Sequence, residues 1–296
     1  MEFNKDLIYK IIDNKIDLLK LDYLDNQELN TLYSALKLNT SLKRICLNHT
    51  QIEDITLLCK SLENNSCLEM LVLSYDNIKN ITPLKFLLNS CLEILDLSIN
   101  QIEDISPLKY LENNSCLKYL DLACNQIENI TLLCKSLENN YCLQKLDLSC
   151  NKIEDITPLK FLEKSCLQKL HFRFNKIEDI TPLKYLSNSC LEILDLSGNK
   201  IKDITPLKFL SKSCLKELVL FNNQIEDITP LKFLSNSCLE ELYLESNQIE
   251  NITPLKYLEN NSCLKELYLY ENKISNQDIQ QIREFSTKLK QLNLYI

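Results

Sequence analysis

The chain has 296 residues, of which 45% are hydrophobic and 25% are charged, as is ordinary for a folded globular protein. Its net charge of −8 argues against generic binding to nucleic acid and against adhesion to anionic membranes, because both require clustered Lys and Arg. No apolar run approaches the length of a membrane span, and the first residues lack the apolar core of a signal peptide. The sequence therefore predicts an intracellular, cytoplasmic protein.

Residues 1–15 do not fit the pattern found in the rest of the chain and are predicted to form a helix. A helix here would cover the first apolar edge of a repeat array, which would otherwise meet water. We therefore predict two segments, an N-terminal helical cap at 1–15 and a single solenoid domain at 16–296. The apolar residues expected on one face of the cap helix are Phe3, Leu7, Ile8, Ile11 and Ile12.

From residue 16 onward, one unit of 24 to 26 residues recurs to the end of the chain. In the copy at 238–258, Leu242 and Leu244 have the period-two spacing of a strand, whereas Ile249 and Ile252 have the period-three spacing of a tight helical turn. We predict one strand in each of twelve copies. The first apolar positions of the copies are Ile16, Leu42, Leu68, Leu92, Leu117, Leu143, Leu167, Leu191, Leu215, Leu239, Leu264 and Leu289.

Two true α-helices are predicted near the ends of the array, at 26–39 and at 276–286, because both segments have apolar residues at helical spacing. The last strand, 289–295, follows the second of these helices. We favour local closure of its outer edge by Tyr295 and Ile296; the alternative is an association site at this edge.

The second halves of the other repeats are predicted to be short helical turns. Most central copies carry Thr-Pro, as at Thr157 and Pro158, which predicts Thr as the N-cap and Pro at the first helical position. The copies that begin at Thr56 and Thr131 lack Pro and are predicted to form longer helices.

The repeat pattern resembles that of the leucine-rich repeat family over nearly the whole chain. The family pattern Leu-x-x-Leu-x-Leu-x-x-Asn-x-Ile is met, for example, by Leu191, Leu194, Leu196, Asn199 and Ile201. The Ile-x-Asp-Ile-x-Pro-Leu that follows is similar to the internalin and phosphatase-regulator branches, and the terminal repeats are closer to the ribonuclease-inhibitor type. The resemblance implies an α/β solenoid, a leucine-rich-repeat horseshoe with a concave parallel β-sheet of about 11–12 strands and short 3₁₀ or α turns on its convex side.

Two polar slots recur in the repeats and are predicted to be structural. An Asn follows each strand, where its amide can donate and accept hydrogen bonds at once. Leu24, Thr50 and Asp76 replace it in the first three repeats, where we expect this ladder to be weakest. The second slot alternates Asp and Asn, as at Asp155 and Asn80, which share an acceptor oxygen but not a charge. It is therefore predicted to cap a turn and not to bind a metal or catalyse a reaction.

Nine of the fourteen Cys occupy one slot just before the first Leu of a repeat. Neighbouring copies of this slot are expected about 5 Å apart, which is compatible with disulfide geometry. However, nine residues cannot pair off completely, and a small apolar residue suits a buried position. We predict free, buried thiols, as expected in a reducing compartment. The slot contains Cys67, Cys91, Cys116, Cys142, Cys166, Cys190, Cys214, Cys238 and Cys263.

The small numbers of Gly and His exclude most catalytic motifs. A single glycine, Gly198, excludes phosphate-binding loops and dinucleotide fingerprints. The two histidines, His49 and His171, lie five repeats apart, or roughly 24 Å at the spacing of neighbouring strands, so they cannot share a metal ion. Cys124 and Cys150 occupy another slot near His171, but a soft-metal site would need further ligands. We predict no cofactor, no metal site and no enzymatic activity.

The central slot of the exposed sheet face carries Asp in several repeats. Carboxylates spaced by about 4.8 Å could attract a cation, which leaves an enzyme or metal protein centred on His171 as a third hypothesis. We favour the common Leu-Asp-Leu-Ser consensus, in which each Asp is solvated and hydrogen-bonded to neighbouring Ser. The slot reads Asp96, Asp121, Asp147, His171, Asp195, Val219, Tyr243 and Tyr268.

The clearest departure from the repeat consensus is His171-Phe172-Arg173-Phe174, where the other central repeats carry small residues. Aromatic residues and Arg are the usual energetic anchors of protein interfaces. The alternative is neutral drift among exposed positions, and the sequence leaves both open. The candidate partner-binding residues are His171, Arg173, Phe174, Phe221, Tyr243, Tyr268 and Tyr270. The residues that flank them are Glu217, Glu241, Glu245, Glu266 and Glu271.

The first functional hypothesis is a non-enzymatic scaffold that binds a protein or peptide partner on its concave face, with a basic partner favoured by the flanking Glu. The second is a regulatory or substrate-targeting subunit of an enzyme such as a phosphatase, which the family resemblance suggests. No recruiting domain such as an F-box is recognisable in 1–41, which weighs against the second. The protein is predicted to be a monomer unless the edge of the last strand is an association site. Neither nucleic acid nor a membrane is expected as a partner.

Overall fold

A computed structural model describes residues 3–280 and 292–296, and it contains two compact units, Met1–Leu146 (unit 1) and Asp147–Ile296 (unit 2). In each unit a short strand, a turn and a short helical segment recur, so the predicted α/β repeat fold is confirmed. The described residues contain twelve strands: β1 Leu18–Asp22, β2 Arg44–Asn48, β3 Met70–Val72, β4 Ile94–Asp96, β5 Tyr119–Asp121, β6 Lys145–Asp147, β7 Lys169–His171, β8 Ile193–Asp195, β9 Glu217–Val219, β10 Glu241–Tyr243, β11 Glu266–Tyr268 and β12 Asn293–Tyr295.

In unit 1, strands β1 to β5 pair in parallel and in chain order. Because the register never slips, one residue of each strand joins a single column, and its members are at most 1% exposed. Burial of each such side chain contributes roughly 1.5–3 kcal/mol, which a lone repeat could not obtain. The column consists of Leu19, Ile45, Leu71, Leu95 and Leu120.

In unit 2, strands β7 to β12 pair in the same way. Leu194 pairs with Leu218, and Leu218 pairs with Leu242, and each of the three is 0% exposed. Residues 24 positions apart in the chain are therefore direct neighbours in the core, as the repeat pattern predicts.

Helix α1, Lys5–Ile12, and helix α2, Asn26–Leu36, lie on either side of β1 in the chain and pack against each other. The Asn4 side chain begins α1 by accepting a hydrogen bond from the Leu7 backbone N–H at 2.9 Å. Leu7 and Ile11 are buried, whereas the other apolar residues predicted on this face are partly exposed. The α-helix predicted for the first repeat is confirmed. The domain boundary at residue 15 stays a prediction.

The Thr-Pro copies form 3₁₀ helices, and two copies without Pro are α-helical. Helices α3, Thr56–Ser61, and α4, Thr131–Ser136, have six residues each, so the prediction that they are longer is wrong. In α3 the Cys59 N–H donates to the Ile55 carbonyl at 2.9 Å in an α-helical bond, whereas in a Thr-Pro copy the Leu84 N–H donates to the Ile81 carbonyl at 3.0 Å in a 3₁₀ bond. The 3₁₀ helices are Thr82–Leu87, Ser106–Asn113, Thr157–Leu162, Thr181–Leu186, Thr205–Leu210, Thr229–Leu234 and Thr253–Asn260.

The N-cap role predicted for Thr is wrong. Thr157 is the first residue of its 3₁₀ helix, and the N-cap residue, Ile156, makes no side-chain hydrogen bond. Asp155 instead accepts a hydrogen bond from the Thr157 N–H at 2.8 Å, as Asn80 does in another repeat at 2.9 Å. The predicted capping role of the Asp/Asn slot is confirmed, because the turn uses the acceptor oxygen that Asp and Asn share.

One left-handed turn recurs after the strands, and it is built mostly without glycine. The turn residue has φ between 50° and 63° in every copy described. This conformation costs a residue with a side chain roughly 1–2 kcal/mol, so other interactions must hold it in place. The residues in this turn slot are Tyr23, His49, Tyr75, Ile99, Cys124, Cys150, Phe174, Gly198, Asn222, Ser246 and Glu271.

The predicted asparagine ladder supplies those interactions. The buried Asn199 donates through Nδ2 to the carbonyl oxygens of Phe172, Leu196 and Ser197 at 3.0, 2.9 and 3.1 Å. Its Oδ1 accepts from the Ile177 N–H at 3.0 Å. One amide thus satisfies backbone groups of its own repeat and of the preceding repeat, which fixes both the turn and the stacking.

Asp76 interrupts this ladder in unit 1 and is also buried. Its Oδ1 accepts from the Thr50 N–H and hydroxyl at 2.8 and 3.1 Å and from the Ile52 N–H at 3.3 Å. Its Oδ2 is buried without a hydrogen-bond partner, because an ionised carboxylate has no donor to offer the carbonyl oxygens that Asn reaches elsewhere. Burial raises the pKa of Asp76.

The predicted burial of the cysteine slot is wrong. Cys116 and Cys263 are partly exposed and the other seven residues of the slot are exposed. The Leu that follows each Cys takes the core-facing position, so the Cys side chain faces outward. The buried cysteines are Cys59 in α3 and Cys134 in α4, and burial raises the pKa of each thiol to about 12.

The predicted helix at 276–286 begins within the described residues, since 276–280 are α-helical, and its remainder lies outside them. β12 pairs with β11, and the function of its outer edge stays a prediction. Across the described part of the chain, no helix has the length and apolarity needed to cross a membrane.

Candidate functional site

The exposed sheet face of unit 2 carries a stack of three tyrosines, here called the tyrosine column: Tyr243, Tyr268 and Tyr295. The rings are nearly parallel, with centroids 4.5 Å apart for Tyr243 and Tyr268 and 4.2 Å apart for Tyr268 and Tyr295. In-register parallel strands are spaced by about 4.8 Å, close to the stacking distance of rings, so equivalent tyrosines stack without distortion. The sheet thus presents a preformed aromatic surface.

Next to the tyrosine column runs the glutamate row, defined as Glu217, Glu241 and Glu266. These residues take the first position of β9, β10 and β11, two residues before the central slot, and therefore lie on the same face. Tyr243 donates its hydroxyl hydrogen to Glu241 at 2.7 Å, and Tyr268 donates to Glu266 at 2.6 Å. The carboxylates of Glu241 and Glu266 therefore fix the orientation of the two tyrosine side chains.

Protonation states follow from this arrangement. Burial and the hydrogen bond to Glu241 raise the pKa of Tyr243, and the hydrogen bond to Glu266 and burial raise the pKa of Tyr268, so both phenols are neutral. Burial, together with the charges of Glu241 and Asp195, raises the pKa of Glu217. Negative charge is thus crowded along the glutamate row.

A second group on unit 2, the arginine cluster, consists of Arg173, Phe174 and Phe221. The Arg173 Cζ atom lies 4.6 Å from the Phe174 ring centroid and 5.1 Å from that of Phe221. The two rings meet edge to face at 6.4 Å. Such geometry favours the guanidinium through cation–π attraction while leaving it accessible, since Arg173 and Phe174 are exposed.

The only glycine of the chain makes room for this cluster. A Cβ added to Gly198 would lie 2.0 Å from Phe174 Cδ1 and 2.5 Å from Cε1. The Phe174 ring therefore rests directly on the backbone of the next repeat, where any side chain would displace it. Phe174 and Gly198 occupy the same turn slot in neighbouring repeats. The Phe174 ring therefore fills the space that a side chain at position 198 would take.

Gly198→Ala is expected to lower the free energy of unfolding by about 2–4 kcal/mol, because the methyl group clashes with Phe174 and alanine also disfavours positive φ. Urea unfolding followed by circular dichroism measures this change. In the double variant Phe174→Ala/Gly198→Ala only the backbone cost, about 1–2 kcal/mol, should remain relative to Phe174→Ala. An equal loss in both backgrounds would show that Phe174 does not rest on Gly198.

Tyr270 lies in the turn after β11, apart from the tyrosine column, and is 42% exposed. The charge of Glu245, followed by burial and by Glu271, raises the pKa of Tyr270. Glu245 itself is buried, and one of its carboxylate oxygens has no hydrogen-bond partner. The candidate residues thus fall into the arginine cluster, the tyrosine column and a neighbouring Tyr270–Glu245 pair.

His171, the remaining candidate, ends β7 and pairs in register with Asp195. Asp195 accepts hydrogen bonds from the Ser197 N–H and hydroxyl at 2.9 and 2.5 Å, and Asp96 in unit 1 does the same with Ser98. The favoured consensus geometry, Asp bonded to the Ser two residues later, is therefore present. Within residues 3–280 and 292–296, no group of three or more His, Cys, Asp or Glu side chains is placed to hold a metal ion.

Sequence reasoning missed a row of ring contacts in unit 1 made of Tyr23, His49 and Tyr75, in which the first two rings stack and the last two are tilted by 37°. The ring centroids are 5.2 Å apart for Tyr23 and His49 and 4.5 Å apart for His49 and Tyr75. All three residues take the left-handed turn slot in consecutive repeats, so aligning that slot across the copies would have found them. Tyr23 and Tyr75 are 76% and 52% exposed, which makes this a second preformed aromatic surface.

The parallel in-register strands and the recurrent turn define a repeat protein of the α/β solenoid class. Family models match it under the descriptions "Leucine Rich repeats (2 copies)", at 91–135, 117–161 and 167–209, and "Leucine rich repeat", at 189–249. The chain belongs to the leucine-rich repeat family, as its sequence pattern predicts. No curated protein sequence matches it.

Among solved structures, an internalin from Listeria monocytogenes is 28% identical, with a TM-score of 0.69 over 99% of this chain and 88% of that one. A leucine-rich repeat protein from Leptospira interrogans is 23% identical, with a TM-score of 0.77 over 100% of this chain and 75% of that one. A plant peptide hormone receptor solved in complex with RGF2 is 19% identical, with a TM-score of 0.51 over 95% of this chain and 49% of that one. The last two share the fold alone.

Leucine-rich repeat proteins are generally protein-interaction scaffolds, and the comparisons indicate no catalytic family.

Proposed function

We propose that the chain is a non-enzymatic scaffold that binds a protein or peptide partner on the exposed sheet face of unit 2. The observation that carries this proposal is the tyrosine column standing beside the glutamate row. In the equivalent slot of β4 and β8, Asp96 and Asp195 are hydrogen-bonded to the Ser two residues later, whereas in β10 to β12 three large rings are stacked.

The tyrosine column is suited to binding because its rings are already ordered. An exposed side chain normally loses about 0.5–1.5 kcal/mol of conformational freedom when a partner immobilises it. Stacking and the hydrogen bonds to Glu241 and Glu266 have already restricted Tyr243 and Tyr268. A partner that covers them therefore gains apolar contact at a small further entropic cost.

The partner segment is proposed to be basic. The glutamate row crowds carboxylates on one strip, and burial together with the neighbouring charges of Glu241 and Asp195 raises the pKa of Glu217. A Lys or Arg side chain of the partner would relieve this repulsion while the rest of the partner covers the tyrosine column. Contact with the tyrosine column would then supply most of the affinity. Attraction to the glutamate row would orient the partner and speed its association.

The arginine cluster is proposed as a second anchor on the same unit. Its guanidinium is held over two aromatic rings and remains exposed, so it can donate hydrogen bonds to a carboxylate or backbone carbonyl of the partner. Arg173 also lacks a carboxylate partner among the ion pairs of the described residues. Its hydrogen-bonding capacity is therefore available to a ligand.

The test is affinity capture from a lysate of the source organism with immobilised wild type and with the variant Arg173→Ala/Tyr243→Ala/Tyr268→Ala. Loss of interface anchors is expected to cost at least about 2 kcal/mol, or roughly 30-fold in affinity, so the specific partner should disappear. Higher salt should weaken the capture, because part of the attraction is between exposed charges.

A matched control replaces two tyrosines and one basic residue that lie off the site. Tyr9, Tyr141 and Lys212 are exposed and lie outside the sheet face, so Tyr9→Ala/Tyr141→Ala/Lys212→Ala should recover the partner as wild type does. Equal recovery of every partner by both triple variants would contradict the proposal and would favour neutral drift at the aromatic positions.

The regulatory-subunit alternative makes a different prediction for the same capture. A catalytic subunit would be recovered together with its activity, whereas a simple scaffold recovers a partner without one. The cytoplasmic location and the monomeric state stay predictions of the sequence. Cell fractionation with an antibody against the chain, and light scattering of the pure protein, would test them.

A further inference from the structure

The cysteine slot is not used by the proposed function, although it places a row of reactive groups on the surface. In unit 1 the row, here called the cysteine ladder, consists of Cys67, Cys91, Cys116 and Cys142. Cys67, Cys91 and Cys142 are exposed and Cys116 is partly exposed. Because these thiols meet solvent, burial does not protect them from small oxidants as it protects Cys59 and Cys134.

The strand register brings two members of the ladder together. Cys91 lies three residues before β4, and Cys116 lies three residues before β5. β4 and β5 are parallel and in register, with Ile94 opposite Tyr119. Equivalent residues of adjacent strands lie about 4.8 Å apart, which is inside the roughly 4.4–6.8 Å between Cα atoms that a disulfide requires.

The neighbouring thiols of the ladder also act on Cys91. Burial, followed by the neighbouring Cys116 and Cys67, raises the pKa of Cys91. At neutral pH Cys91 therefore stays largely protonated and reacts slowly, and its reactivity should increase with pH.

We propose that Cys91 and Cys116 are a redox modification site that forms a disulfide between consecutive repeats upon exposure to a low-molecular-weight disulfide such as oxidised glutathione. One thiol of the pair loses its proton, and the thiolate attacks a sulfur of the oxidant, which forms a mixed disulfide and releases one glutathione thiolate. The second thiolate then attacks the protein sulfur and releases the second glutathione. Two protein thiols are oxidised by two electrons, and the oxidant is reduced to two glutathione thiols.

The disulfide would change how the array opens and leave the fold as it is. It would join the repeats of β4 and β5 and close a loop of 26 residues, Cys91 and Cys116 included. Stacked repeats contact only their neighbours, so opening can begin locally, and a covalent link between two repeats removes one such opening. Oxidation is thus expected to stiffen unit 1 at this point.

The test uses the full chain, reduced and freed of reductant, then incubated at pH 8 with oxidised glutathione. Remaining thiols are blocked with N-ethylmaleimide, and the protein is digested with trypsin without reduction. Cleavage after Lys85, Lys109 and Lys118 separates Cys91 in 86–109 from Cys116 in 110–118. The expected product is these two peptides joined, about 2 Da lighter than their reduced sum.

Two comparisons decide the outcome. Cys116→Ser should lose the joined peptide and leave a glutathione adduct on Cys91. The buried Cys59 and Cys134 of the wild type should carry no adduct. The proposal is overturned if wild type gives only glutathione adducts, or if the main partner of peptide 86–109 is peptide 61–79, which contains Cys67. It is also overturned if Cys59 and Cys134 form disulfides to an extent similar to that of Cys91 and Cys116.

Discussion

Leu218→Ala is expected to lower the free energy of unfolding by about 2–5 kcal/mol. Leu218 is 0% exposed and stands in the leucine column between Leu194 and Leu242. Truncation removes buried methyl groups and leaves a cavity whose walls are held apart by the repeats above and below. Urea unfolding monitored by far-UV circular dichroism gives the change in the midpoint and in the slope.

An exposed leucine provides the matched control. Leu132 is 51% exposed, so Leu132→Ala should change the free energy of unfolding by less than about 0.5 kcal/mol. A similar loss at both positions would contradict the column packing. A smaller slope in the Leu218→Ala variant would show in addition that the cooperativity between repeats had been broken.

Exchange of Asn and Asp in the ladder should have opposite effects at two positions. Asn199→Asp, which removes a donor from three carbonyl oxygens, is expected to cost about 3 kcal/mol at pH 7. Asp76→Asn adds the missing donor beside a buried, unpartnered carboxylate oxygen and is expected to raise the free energy of unfolding by about 1–2 kcal/mol. Both substitutions preserve the shape of the side chain, so packing changes little.

The effect of Asp76 should depend on pH. Burial raises the pKa of this carboxyl in the folded state, so the folded protein binds its proton more tightly than the unfolded chain does. The protonated acid can donate as Asn does, and its favourable contribution is present below the unfolded pKa of about 3.9 and is lost as the pH rises through the raised value. The advantage of Asp76→Asn over wild type should therefore be small at pH 4 and full at pH 7. A constant difference across this range would contradict the assignment.

The core of the fold could be predicted because it depends on sequence spacing alone. Leucines that recur every 24 to 26 residues, with a period of two inside each strand, can be buried together only if the copies stack in register. The asparagine and Asp/Asn slots were predictable for a similar reason. Where copies differ, as at Asp155 and Asn80, the shared acceptor oxygen reveals the interaction.

Predictions of orientation at single positions were less successful. The cysteine slot was expected in the core because Cys is small and apolar, yet it faces outward since the adjacent Leu takes the inner position. Thr157 was expected to cap a helix that Asp155 caps instead. Both errors arise because residue type gives only a preference for burial or for capping. The direction of the local backbone decides which side chain reaches the core or the free N–H group.

The candidate surface was partly predictable. The departure at Arg173 and Phe174 and the strip of Tyr243 and Tyr268 are visible when repeats are aligned. The sequence did not reveal that Phe174 rests on Gly198 or that the rings of Tyr23, His49 and Tyr75 are in contact in unit 1. Those contacts join side chains of different repeats, and their distances depend on backbone angles in the left-handed turn.

The amino-acid sequence by itself determined the repeat length, the strands, the leucine columns and the asparagine ladder, because each follows from a regular spacing that only stacking can satisfy. Only the tertiary structure decided which side chains become neighbours: a stacked tyrosine column, a guanidinium held over two rings, and a phenylalanine ring resting on the backbone of Gly198. The reason is that the apolar core sets the register between repeats, and the register in turn sets the few-ångström distances on which surface chemistry depends.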